Sequence, residues 1–286
     1  MRSPIPLLLC TVGMLLCWSI AGAQTSVSPT RVMVSARDKS SEVSVSNPNS
    51  YPIEIEASFG FLVMRSDSNG TMLLDSNNLS PDESAKSCEG WMKVSPRRFI
   101  LGPNTSKVVR VLVAAPPAIS DGEYWGRLKF TSQPLLPATR IDTTGLEFGT
   151  VITLLLATDI PVLYRKGRLA TGIDFDVAGV RVDSSRARVL VDTRRLGNSA
   201  YRGTFFGVLR NADGVEIARV EEQFTTEFVL RKALDFRIPG DGSYHLTLEC
   251  RSVRTGLAAD VAIPAETRVK EYLLTIAGHE AVLTAE

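Results

Sequence analysis

The side chains best equipped for chemistry are few and far apart. His245 and His279 are the only two histidines. Neither has a cysteine or carboxylate at ligand spacing, so no metal or other cofactor is expected. Asp174 and Asp176 lie two apart on an expected strand and so point the same way, as a catalytic acid and base would. On a solvated face that pairing is ordinary. No serine sits in a nucleophile-elbow pattern with a histidine partner. What remains is a cationic cluster, Arg165, Lys166 and Arg168 around Gly167. With no catalytic or metal constellation in view, the chain does not read as an enzyme.

The cationic cluster ends the stretch that organises the chain, Phe148 to Arg168 (FGTVITLLLATDIPVLYRKGR). Its centre, Val151 to Leu156, is too short to span a bilayer and too rich in Val, Ile and Thr to favour a helix, so one long strand is expected. At 286 residues with 44 % apolar content the chain can build two cores. Met1 to Ala23 carries Arg2, an apolar run from Ile5 to Ile20 and then Ala21-Gly22-Ala23, the small-x-small form that a signal peptidase cuts. A cleaved signal peptide over residues 1–23 is expected, so that the mature chain is exported and carries no membrane anchor. Removing Arg2 leaves 31 basic side chains against 31 acidic ones, since the full chain has 32 and 31. That balance favours neither nucleic acid nor anionic lipid as a partner. Cys10 and Cys17 fall in the signal segment. Cys88 and Cys250 remain, one in each half, as two buried thiols or as a disulfide crossing between the halves.

Alternation of apolar and polar residues marks strands throughout. Val43 and Val45 are followed, after Asn47-Pro48-Asn49-Ser50, by Ile53, Ile55, Ala57 and Phe59. A single strand is expected over Val27 to Val34. Ser66 to Gly70 and Asp75 to Ser87 read as loops. A β-branched run, Val108 to Val113, stops at Pro116-Pro117. Asp121-Gly122-Glu123-Tyr124 then leads into Trp125 to Thr131, and Asp241-Gly242-Ser243-Tyr244 leads into His245 to Arg251. A Tyr at the corner where a strand begins is a feature of immunoglobulin-like sandwiches, and here it occurs twice, about one domain apart. Asn211-Ala212-Asp213-Gly214 reads as a hairpin turn. About seven strands are expected in the second half, with a frayed C-terminus. No apolar run of period 3.6 suggests a long helix. The expected fold is all-β, two tandem immunoglobulin-like β-sandwich domains over residues 24–166 and 167–286.

Three pieces in order carry a resemblance: Pro29-Thr30-Arg31-Val32 with Val43-Ser44-Val45; Pro96, Phe99 and Leu101 before the Val108 to Val113 run, its Arg110 and the Tyr124 corner; and Ile160 to Arg165 (IPVLYR). Together they resemble the PapD-like periplasmic chaperones of the chaperone–usher route, over about residues 26 to 167 and more weakly beyond. The resemblance implies a chaperone that binds pilus or surface subunits, with an outer-membrane usher as a further partner. It implies that the long strand is lent to a subunit lacking its own last strand, the lent residues being Ile152, Leu154 and Leu156. It also implies an Arg and a Lys that grip the subunit's terminal carboxylate. Arg31 matches the Arg; the Lys position falls on Pro161, so Arg165, Lys166 or Arg168 would have to substitute. Read from the residues alone, the three aliphatics are equally core, and Arg31 is a solvated charge on an edge strand. A structural or adhesive envelope protein of two immunoglobulin-like domains is the competing function.

Overall fold

The computed structural model describes residues 25–135, 155–183, 185–256 and 261–285. The expected signal segment, Ile152 and Leu154 lie outside them. The chain forms two immunoglobulin-like β-sandwiches in tandem. The first contains β1 (Ser26–Ser28), β2 (Val32–Ser35), β3 (Ser40–Asn47), β4 (Ile53–Gly60), β5 (Val63–Ser66), β6 (Met72–Asp75), the one-turn helix α1 (Pro81–Ser84), β7 (Met92–Ser95), β8 (Arg98–Leu101), β9 (Thr105–Val113), β10 (Gly122–Pro134) and β11 (Leu156–Lys166). One sheet has the order β1-β3-β9-β7 and the other β2-β11-β10-β4-β8, with β5 and β6 as a separate hairpin. Alternation sets which face is covered: Val43, Val45, Ile53, Ile55 and Ala57 all point into one core with Leu128, Phe130, Ile160 and Val162.

The strand expected over Val27 to Val34 is two strands in different sheets. β1 pairs with β3, whereas β2 runs parallel to β11. Pro29 has no N–H to offer a ladder, so the chain leaves one sheet there and enters the other. The segment Asp75 to Ser87 is likewise not all loop. Pro81 at the first turn and a reciprocal cap between Ser80 and Glu83 fix α1.

The second sandwich contains β12 (Thr171–Asp183), β13 (Arg186–Gly197), β14 (Tyr201–Asn211), β15 (Glu216–Thr226), β16 (Val229–Arg237), β17 (Gly242–Arg251), β18 (Arg268–Ala277) and β19 (Glu280–Ala285). Its sheets have the orders β12-β13-β16 and β15-β14-β17-β18-β19. The C-terminal residues read as frayed form β19. Gly278, at φ 61°, turns the chain back on β18, and its N–H donates to Asp241 Oδ1 at 2.9 Å.

Both tyrosine corners close as their sequence implies. The Tyr124 hydroxyl donates to the Ser120 carbonyl at 2.9 Å and the Tyr244 hydroxyl to Gly240 at 2.8 Å. Cys88 and Cys250 are unpaired and buried in separate cores, and burial pushes each thiol up to about 12. A third apolar cluster joins the sandwiches, setting Phe61, Val63, Trp125 and Leu163 against Ala200 and Val261.

Candidate functional site

The site is built on β11, whose two halves differ. Its C-terminal half, Val162 to Arg165, is held between β10 and β2. Its N-terminal half, Leu156 to Pro161, pairs with β10 alone among the described residues. One backbone edge of that half therefore has no strand beside it there, and such an edge is a template for another chain. The side chains change at the same place. Tyr164, Val162 and Ile160 lie in their own core, Thr158 is half-buried and Leu156, next on that face, is 41 % exposed. The row of one face thus runs off the end of its own sandwich while the strand continues.

Arg31 stands where the open edge ends. It immediately precedes β2, and Val32 pairs with Val162, so Arg31 is level with Pro161. Across β11, Pro161 pairs with Arg127 of β10. The even-numbered neighbours Val32, Val162 and Leu128 are buried in the first core, so Arg31, Pro161 and Arg127 share the opposite face. Pro161, where the resemblance expects a Lys, is bracketed across the sheet by two arginines. Neither side chain forms a hydrogen bond or ion pair among the described residues.

That face looks into a cavity of about 230 Å³ between the sandwiches, which Arg202, Arg254 and Lys232 of the second sandwich also line. Glu227 is its single lining carboxylate. Burial pushes the Glu227 carboxyl above the usual range, although its Oε2 accepts the Met64 N–H at 3.2 Å. The wall is accordingly cationic. Loss of solvent holds the Arg31 guanidinium below its ordinary value, and repulsion from Arg202 and then Arg254 lowers it further. An anion in the cavity would relieve that repulsion.

Beside the cavity, Glu123 is fully buried. It accepts two bonds from Arg202, at 2.7 and 3.1 Å, one from Arg165 at 2.8 Å, and one from the Trp125 indole at 2.7 Å. Burial alone would raise its carboxyl, but Arg202 and Arg165 overcome that and hold it below the usual carboxylate range. Because Arg202 comes from the second sandwich and Arg165 from the first, Glu123 ties the two together.

Of the cations expected to replace the Lys, Arg165 is near enough to Arg31 for its charge to be felt there, whereas Lys166 and Arg168 are not among the charges that act on Arg31. Arg165 binds Glu123 and the Val261 carbonyl. Lys166 donates to the carbonyls of Pro117 and Ile119 at 2.8 and 2.6 Å. Arg168 is exposed, its backbone N–H held by Asp121. Arg127, Arg202 and Arg254 line the cavity instead. Sequence reasoning missed these three, because Arg202 and Arg254 come from loci remote in the chain and Arg127 shows its face only once β10 is in register. Leu156 is the only one of the three aliphatics that the resemblance picked out to be described here.

Asp176 accepts the Tyr272 hydroxyl and Asp174 pairs with Arg194 at 3.0 Å, so each carboxylate has a structural partner. Among the described residues no three His, Cys, Asp or Glu side chains come together to hold a metal ion, and no helix is long and apolar enough to cross a membrane.

No protein-family model matches the chain, and no curated protein does. Among solved structures it is similar to the CupB2 chaperone of Pseudomonas aeruginosa, at 13 % identity over 86 % of this chain and 98 % of that one, with a TM-score of 0.42. It is similar to the E. coli chaperone DraB at 12 % identity, over 86 % and 95 % of the two chains, with a TM-score of 0.43. The YadV chaperone gives 12 % identity over 92 % and 100 %, with a TM-score of 0.42. At that distance the likeness says nothing of what this chain binds.

Proposed function

We propose that this chain is a periplasmic chaperone, exported by a signal peptide cleaved near Ala23, that holds a secreted pilus-like or surface subunit by adding β11 to the subunit's unfinished sandwich. The observation that carries this reading is the N-terminal half of β11. Its backbone edge stands open among the described residues, its core-facing row leaves its own core at Leu156, and it ends at Arg31 in a cationic cavity. A carboxylate can reach Arg31 from that edge only if the added strand runs parallel to β11 and stops at Pro161. Pro161 has no N–H, so the ladder ends there in any case. The row extends to Ile152 and Leu154 by sequence alternation alone. Each aliphatic side chain sealed in the complex would contribute roughly 1.5–3 kcal/mol before ordering costs are subtracted. On this reading the first domain ends at Lys166, the last residue of β11, and the second begins at Gly167.

Leu156→Asp tests the reading. Because Leu156 is already exposed, its melting midpoint should stay that of the wild type. An unstable partner recovered from the periplasm with the wild type should be lost. If the variant unfolds instead, or the wild type travels alone, the strand is ordinary core and the alternative of a structural or adhesive envelope protein takes over.

A further inference from the structure

We propose that the β5–β6 hairpin of the first sandwich guards the free edge of β16 in the second, and that when the hairpin tip is displaced this edge pairs antiparallel with β16 of a second copy of the chain. The inference is independent of the strand-addition reading, since β11 takes no part in it.

β16 is the outer strand of its sheet, joined among the described residues to β13 alone. The Arg231 N–H turns away from β13 and donates to Ser66 Oγ of β5 at 2.6 Å. By the period of two, the backbone groups of Val229, Ala233, Asp235 and Arg237 face the same way. Such a row is a template for another strand. The hairpin tip lies over its middle. A Cβ on Gly70 would come within 2.8 Å of the Ala233 nitrogen, and Arg181 of β12 donates to the Asn69 side chain. The tip, residues 67–71, is polar throughout and holds its own shape, the Asp67 carboxylate accepting the N–H groups of Asn69 and Thr71 at 2.8 and 2.9 Å. Behind it lies a cavity of about 540 Å³ that Ser66, Asp67, Arg194 and Arg231 help to line. The base of the hairpin is fixed differently, by Val63 in the apolar cluster between the sandwiches. A tip held by a few polar bonds can lift without unfolding either sandwich.

The occupant follows from the sequence of the edge itself, Val229–Arg237 (VLRKALDFR). A two-fold contact pairs a surface with its own copy. Centred on Ala233, antiparallel pairing sets Ala233 against Ala233, so the backbones meet where the side chain is small. It sets Arg231 against Asp235 of the second copy, an opposite-charge pair that recurs on both sides of the axis. It also sets Leu230 beside Phe236, both on the core-facing side. Because the centre is an odd-numbered residue, every outward-facing backbone group meets another outward-facing one, as a ladder requires. Ser66 and Gly70 stand on Arg231 and Ala233, so the tip in place blocks the three central pairs.

The test uses the full mature chain, analytical ultracentrifugation over a concentration series, and hydrogen exchange at the Arg231 and Ala233 amides. The wild type should stay monomeric with both amides protected. Gly70→Val should displace the tip, speed exchange at both amides roughly tenfold in dilute solution and tighten self-association by about the same factor. Ser66→Ala combined with Asn69→Ala should do likewise while leaving the glycine in place. In the Gly70→Val background, Asp235→Arg should return the chain to monomer by setting arginine against arginine, and adding Arg231→Glu should restore the pairing. Melting midpoints close to the wild type's would exclude loss of fold. Faster exchange without association would overturn the proposal, and so would association that Asp235→Arg leaves intact. Exchange unchanged in both tip variants would show that the hairpin guards nothing, which overturns it equally. None of these substitutions lies on β11, so strand addition stands or falls on its own test.

Discussion

Replacing Glu123 by Gln should unfasten the two sandwiches more than any exposed charge change. The carboxylate is fully buried, and two guanidiniums from different sandwiches, Arg165 and Arg202, depend on it. Removing one member of a buried ion pair leaves the other charged and desolvated, which costs about 3–5 kcal/mol. If the sandwiches unfold together, a chain of this size loses about 2–4 °C per kcal/mol, so the midpoint should fall by about 6–20 °C. Differential scanning calorimetry at neutral pH measures this. The control is Glu42→Gln, which removes the 3.1 Å pair with Arg110 on a face where both side chains are more than half exposed; its midpoint should not move. The pH dependence follows from the depressed Glu123 carboxyl. Stability from a lowered acid is fully present above the unfolded value, about 4.3, and is lost as pH falls through the folded one. The gap between wild type and Glu123→Gln should therefore hold at neutral pH and close on strong acidification. A fall no larger than that of Glu42→Gln would refute the claim that this buried carboxylate joins the sandwiches.

Other substitutions probe separate parts of the argument. Glu227→Gln should raise the melting midpoint at neutral pH, because the charged form of a carboxyl raised by burial is penalised above its folded value; melts at falling pH should show the gain vanish as the wild-type group takes up its proton. Gly207→Ala would place a Cβ 2.5 Å from the ring of the fully buried Phe236. Overpacking of that kind costs about 1–3 kcal/mol by urea denaturation, whereas Gly60→Ala meets nothing within 4 Å and should be tolerated. Tyr124→Phe and Tyr244→Phe each remove one corner hydrogen bond and should each cost about 0.5–1.5 kcal/mol in the same assay.

The strands that cover a single core were legible in the sequence, because burial on one face leaves a period of two. Ile53, Ile55 and Ala57 show it, and so do Val43 and Val45. The corners at Tyr124 and Tyr244 were legible for a similar reason, since each depends on residues close in the chain. What escaped notice lies where a sheet is covered on both faces. In β10, Tyr124, Leu128 and Phe130 face the core, but Trp125 on the other side is buried too, against Phe228 across the junction. A tryptophan on the face that should be wet was the available sign that a second sandwich packs there. Glu123, two residues before it on that same face, looked like part of a polar turn. Nothing local marks it as a buried charge, because its partners Arg165 and Arg202 are 42 and 79 residues away. The cationic cavity was hidden likewise, since Arg31 and Arg254 meet only through the packing of the two halves.

Cys88 and Cys250 are each wholly enclosed, in different cores, with thiols that stay protonated. In an oxidising compartment neither can react while its own sandwich is shut. A maleimide or a disulfide that appears on one of them therefore dates an opening of that sandwich and no other. The two sulfur atoms amount to a pair of independent tally counters, able to report which half of the molecule breathes first under heat, acid or mechanical load, with no label added to the surface.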